Sequence, residues 1–274
     1  WSRYAWNPRV EEQADHAYWI GRRADRFGRG AAENILAACN DAGECAPRII
    51  RHFGITEGNR QTMSLGMTLD QLVRPEKYGE FPGLWEWQSP PGERLKEYAQ
   101  KEWKKEPHAG ETPPQIVNEV LAFSAQAVAA IDAAAPQVTR NLEEFARLRN
   151  DVHCIRALSE SYAAKVNAAL RVLRFGYSKD VADMEDAERH LAQSLVFYRH
   201  LAALTKDTYR FANSMQTAQR KIPAVGGIDG KPANYHWTQL VPLYEKELAD
   251  FRAQVTALTT GGSADSVATT PLMQ

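Results

Sequence analysis

The sequence has no unbroken apolar run of about 18 residues, the length a membrane-crossing helix requires, so no membrane span is expected. It also lacks an apolar stretch behind a charged leader, so no signal peptide is read. The chain opens at Trp1 rather than Met, which reads as a processed or excised start, and the missing leader then says little about compartment. Neither charge dominates: 33 Lys and Arg stand against 34 Asp and Glu among 274 residues. There is no dense basic block, and nucleic acid, which needs a basic face, is not an expected partner. Cysteine is scarce, with three residues, Cys39, Cys45 and Cys154. An odd count makes a poor disulfide framework. Cys39 and Cys45 flank the turn-like Asn40-Asp41-Ala42-Gly43. They are either a small loop disulfide, which would suit an oxidising compartment, or two reduced thiols. Cys154 falls in an apolar helical stripe and reads as a packed thiol.

The motifs of self-sufficient chemistry are missing too. There is no Gly-x-Gly-x-x-Gly string, no Walker loop and no His-Glu-x-x-His. No Gly-x-Ser-x-Gly elbow is present. Paired Glu-x-x-His motifs, which hold metals in long bundles, are also absent. No cofactor and no metal are expected. Asp186 and His190, four apart on one helical face, read as a surface pair.

What the sequence does have is helical periodicity. Val117, Val120, Leu121, Ser124, Ala127, Val128 and Ile131 recur at three and four. So do Leu142, Phe145, Leu148, Val152, Ile155, Leu158, Tyr162, Val166, Ala169 and Leu173. Met184, Ala187, Leu191, Leu195, Tyr198, Leu201, Thr205 and Tyr209 repeat the pattern. These are stripes of amphipathic helices, not the alternation of strands. Pro136 should break the first helix from the second. Gly176-Tyr177-Ser178 should break the second from the third, with Ser178 a candidate N-cap. A last helix should begin near Thr238, with Pro242 in its first turn.

Residues 1–113 are broken by Gly and Pro and rich in aromatics. Helices are expected over 8–27, with Asn7 as N-cap and Pro8 at the first position, and over 31–40. Another should follow Pro47, with short ones over 68–73 and 92–105. The resulting class is all-α. An irregular, aromatic-rich helical region (1–113) packs on an antiparallel bundle of long helices (114–258), followed by a flexible tail (259–274).

Two strings stand out as candidate sites. The glycine-bounded Gly54-Ile55-Thr56-Glu57-Gly58-Asn59-Arg60-Gln61 gathers side chains that hydrogen-bond sugar hydroxyls. The string Phe81-Pro82-Gly83-Leu84-Trp85-Glu86-Trp87 supplies rings that could stack on a pyranose face, or simply pin a long loop. The candidate sugar-binding set is Glu57, Asn59, Arg60, Trp85 and Trp87. The polar string at 213–223 is explained by basic residues favouring a helix C-terminus.

The opening Trp1-Ser2-Arg3-Tyr4-Ala5-Trp6-Asn7-Pro8, with Arg26-Phe27-Gly28 ending the first helix, resembles the point where α-glucuronidase-like glycoside hydrolases leave their catalytic barrel. The resemblance implies a parent enzyme with a (β/α)₈ barrel and two catalytic carboxylates. No strand–helix repeat is present here, so the barrel and its carboxylates are not in this chain, and no catalytic residue is carried over.

The implied role is an accessory, non-catalytic helical region of a carbohydrate-degrading enzyme, periplasmic or secreted. It would brace the barrel or line the rim of the sugar cleft. Its expected partners are that barrel, an oligosaccharide and a second copy of itself. One alternative is a stand-alone helical module that binds protein, favoured by the Ala-rich face at 125–135. Another is an independent enzyme using Glu57 and Glu86, for which sequence shows no paired geometry.

Overall fold

A computed structural model describes residues 5, 9–53, 65–78, 91–212 and 235–260. Among these there are eight α-helices and no strand: α1 (Glu12–Phe27), α2 (Ala32–Phe53), α3 (Leu69–Val73), α4 (Leu95–Lys104), α5 (Pro113–Ala134), α6 (Leu142–Ser178), α7 (Val181–Thr205) and α8 (Trp237–Thr259). The all-α reading holds. The tail at 261–274 lies outside the described residues, as do Asn7 and Pro8.

The chain divides into two compact units, one from Trp1–Glu44 with Ala122–Arg156, the other from Cys45–Leu121 with Ala157–Gln274. Each takes segments from both sides of residue 113, so the compact units do not divide where composition changes.

In the first unit, Phe27, Ala31, Ile35, Ala38 and Ala42 pack with Ala127, Ile131, Ala134, Phe145 and Val152 in one apolar core. The rings of Phe27 and Phe145 meet edge to face at 6.1 Å. The last carbonyls of α1 need donor partners outside the helix. The stretch before α6 supplies them: Arg140 donates to Asp25 O, Asn141 to Arg26 O and Thr139 N–H to Phe27 O. That close approach is possible because Gly28, at φ 110°, has no Cβ; one would strike the Thr139 hydroxyl. Pro136 breaks the chain as expected, in the 3₁₀ turn Ala135–Gln137 after α5.

Helix α2 corrects the sequence reading. It runs through Asn40-Asp41-Ala42-Gly43 and through Pro47 without interruption. Ile35, Ala38, Ala42, Cys45 and Ile49 are all buried at spacings of three and four. That stripe outweighs the local cost of Gly43 and Pro47, both of which face solvent. The candidate Cys39–Cys45 disulfide is therefore not formed, and all three thiols are free. Six residues on one helix separate two Cα atoms by roughly 9 Å, beyond disulfide reach. The Cys45 thiol instead donates to Val120 O, and the Cys39 sulfur accepts from Arg23.

In the second unit, α6, α7 and α8 lie antiparallel in sequence. Ser161 meets Ser194, while Arg171 meets Asp186 and Arg174 meets Asp183, so α6 and α7 pair in reverse order. Arg199 with Glu245 and Glu188 with Arg252 do the same for α7 and α8. The turn between α6 and α7 is only Lys179 and Asp180, and Asp180, not Ser178, caps α7. Ser178 lies at the end of α6 and donates to Asp183. Pro242 sits in the second turn of α8 rather than the first, because that helix starts at Trp237.

Helix α3 rests on this layer. Thr68 and Gln71 form a reciprocal cap at its start. Leu65 O accepts from both Tyr198 and Tyr244, at 2.6 and 3.1 Å.

Helix α5 qualifies the expectation of no membrane span. By length and composition it is apolar enough to cross one. One stripe of it, Ile116, Val117, Val120, Ala127, Ile131 and Ala134, is buried within the protein, and 33% of the apolar window is buried in all.

Candidate functional site

Helices α4 and α6 border a cleft of about 870 Å³ in the second unit, within the usual range for small-molecule sites. Tyr98, Ala99, Glu102 and Trp103 come from α4, and Lys105 follows it. Asn167, Leu170, Arg171 and Arg174 come from α6, Pro114 from α5 and His190 from α7. The α6 residues recur at three and four, so they share one face.

The loop after α4 holds its helix in place. Lys105 adopts the left-handed conformation, φ 57°, and its N–H returns to Glu102 O. The chain then folds back, with Glu93 N–H donating to Glu111 O and Glu111 N–H to Pro91 O. Gly110 makes this fold-back possible, because a Cβ there would collide with Pro91 O. Beneath the loop, Glu93 is 1% exposed and accepts from Lys101 Nζ at 2.8 Å, from Ala109 N–H at 2.9 Å and from His108 Nδ1 at 2.7 Å. Burial pushes the Glu93 carboxyl up, but these bonds outweigh it and hold it below its ordinary value. His108 Nε2 reaches Glu102 Oε1 at 2.7 Å, and its ring stacks on Tyr98 at 4.6 Å. Bonds to Glu102 and Glu93 raise the His108 pKa above its ordinary value. Tyr98 and Glu102 thus reach the cleft from a braced position.

One ring lining the cleft, Trp103, is stacked on Tyr177 outside the lining. Trp103 is 49% and Tyr177 40% exposed, yet their rings stack 6.1 Å apart and 16° from parallel. The cleft is also lined by two guanidinium groups, both from α6. Arg171 Nε is 2.7 Å from Asp186 and Arg174 Nε is 3.5 Å from Asp183. His190 is held below its ordinary pKa by burial first, then by Arg171 and Arg189, with Asp186 opposing. Such a surface can stack a flat apolar ring face and receive an anionic group. Among the described residues, no group of three His, Cys, Asp or Glu side chains is placed to hold a metal ion.

Comparison with solved structures gives this geometry a context. The chain is similar to part of a glycoside hydrolase, described as a GH138 enzyme targeting pectin rhamnogalacturonan II. The two share 43% sequence identity with a TM-score of 0.88, over 94% of this chain. The chain spans only 30% of the length of that enzyme. No family model matches the chain, and no curated protein matches it.

The sequence-based candidates fare unevenly against the structure. Glu57, Asn59, Arg60, Trp85 and Trp87 all lie outside the described residues, as does Glu86. Of Asp186 and His190, read as a surface pair, His190 lines the cleft, while Asp186 stays outside the lining and pairs with Arg171 and Arg189. Arg171, Arg174 and Lys105 were missed. The signal for the two arginines was an Asn-x-x-x-Arg-x-x-Arg face at 167, 171 and 174.

The buried pair Lys165 and Glu247 was also missed. Glu247 Oε1 accepts from Leu69 N–H at 2.5 Å, and Lys165 Nζ lies 3.7 Å from the centre of the Tyr244 ring. The void beside them has no room for a water molecule. This cluster therefore ties α3 to the bundle rather than serving a ligand.

Proposed function

We propose that this chain is an accessory helical region of a larger, carbohydrate-degrading glycoside hydrolase whose catalytic centre lies outside it. One observation carries this reading: 94% of the chain matches 30% of such an enzyme at 43% identity. Among the described residues there is no strand, so none of them is a strand-end carboxylate of a barrel. The catalytic barrel of the parent enzyme would be its principal partner. The substrate named for the related enzyme, pectin rhamnogalacturonan II, makes a pectic polysaccharide the first substrate to test. A polymer of that kind is met outside the cytoplasm, which favours a periplasmic or secreted enzyme. The finer relation, to the α-glucuronidase-like hydrolases, rests on the opening string at residues 1–8, which apart from Ala5 lie outside the described set, and on Arg26-Phe27-Gly28 at the end of α1.

The test compares the chain alone with the complete enzyme that carries it, on rhamnogalacturonan II. The isolated chain should release no sugar, and deleting it should lower the activity or folded yield of the enzyme. Hydrolysis by the isolated chain would overturn the reading.

A further inference from the structure

We infer that the cleft beside α4 and α6 is a binding site for a carboxylate-bearing saccharide, with Trp103 as the ring platform and Arg171 and Arg174 as the anion clamp. This deepens the proposed function and rests on it for the class of ligand.

Three features of the cleft argue for this occupant together. The first is the platform. Trp103 lines the cleft while 49% exposed, and its stacking on Tyr177 fixes the orientation of the ring. An indole held in a fixed orientation offers the cleft a flat apolar surface, which suits the C–H face of a pyranose better than a branched aliphatic chain.

The second is charge. Arg171, Arg174 and Lys105 line the cleft against one lining carboxylate, Glu102, which His108 already engages. Arg171 and Arg174 pair through Nε with Asp186 and Asp183, neither of which lines the cleft, and a guanidinium carries further N–H donors suited to a planar carboxylate. The third is size and polarity. About 870 Å³ admits two or three sugar rings, and Asn167 and His190 add hydrogen-bonding groups for hydroxyls. A purely apolar partner would leave these groups unpaired, and a bare anion would leave the platform unused.

The experiment is calorimetric titration of the protein with a galacturonate trisaccharide and with its methyl ester, which keeps the ring shape and removes the charge. Binding of the acid, at least tenfold tighter than of the ester, is expected. Arg174→Gln and Trp103→Ala should each weaken the acid at least tenfold. Both side chains are about half exposed, so folding is preserved; if either variant melts early, the other carries the same test. Equal binding of acid and ester overturns the clamp. Unchanged binding in both variants moves the site elsewhere, including to Trp85 and Trp87, and overturns the assignment. Inorganic phosphate binding as tightly as the trisaccharide overturns the saccharide. No binding of any probe overturns the cleft site alone, because the accessory-region reading is decided by catalysis and deletion in the complete enzyme.

Discussion

Lys165 Nζ sits 2.9 Å from Glu247 Oε2, and both side chains are almost sealed from solvent. Burial lowers the Lys165 pKa, and Glu247 opposes that shift by charge and hydrogen bond. The pair joins α6 to α8, and through Leu69 N–H it joins both to α3. Removing one member leaves the other charge uncompensated in the core. Lys165→Met should therefore cost about 3–5 kcal/mol of stability. Adding Glu247→Gln should recover most of that loss, because the amide oxygen still accepts from Leu69 while the stranded charge is gone. Equal instability of the single and double variants in denaturant melts would show that shape, not charge, governs this contact.

His108 gives a pH dependence with a definite sign. Its folded-state pKa lies above the ordinary 6.5, through bonds to Glu102 and Glu93. The stabilisation it provides is complete below about pH 6.5 and fades as pH rises through the folded-state value. At the acid end Glu93 acts in the opposite sense. Its folded-state pKa is below 4.5, so its contribution is present above that pH and is lost as pH falls through the folded value. Melting temperature against pH should thus fall on both sides of a plateau. His108→Gln should flatten the upper limb and leave the Lys101 bond to Glu93 intact. An unchanged upper limb in that variant would assign the pH dependence to another group.

Gly28 tests how α1 is terminated. Its φ of 110° with ψ of 146° belongs to a region that only glycine adopts comfortably. Gly28→Ala should cost about 1–3 kcal/mol from the backbone alone. The displaced Thr139 would add to this by loosening the bonds that close α1. A melting temperature indistinguishable from the parent's would mean that the chain at 137–141 moves freely to make room.

The long helices were legible because their stripes repeat many times, and the buried positions Val120, Ala127, Ile131, Val166, Leu191, Tyr198 and Phe251 follow from period alone. Within α6 the period misleads. Residues 161–166 are buried without a break, so the helix has no single apolar face there. Leu158, central to the sequence stripe, is only half-buried. Lys165 was hidden by the same effect, since a lysine between Tyr162 and Ala169 reads as solvated until helices surround it. Helix α2 shows the opposite error. Gly43 and Pro47 are strong local breakers, yet the five-residue stripe from Ile35 to Ile49 overrides them. The cleft was illegible for a simpler reason. Its residues come from 98–105, 114, 167–174 and 190, and no local pattern joins segments that far apart.

Asp186 offers a way to read the charge of the cleft independently of Trp103. Its carboxylate lies 2.7 Å from Arg171 and 2.9 Å from Arg189, and it pairs with a cleft arginine without lining the cleft itself. Asp186→Asn removes one charge that competes with a bound carboxylate for Arg171. Affinity for the galacturonate trisaccharide should rise roughly two- to fivefold, the scale of one partly exposed ion pair. The gain should shrink with added salt, because screening acts most on exposed charge. Affinity for the methyl ester should not change, since no charge is then in play. A loss of affinity for the acid would instead mean that Asp186 holds Arg171 in its binding posture, and that the cleft gains more from a fixed guanidinium than from a less compensated one.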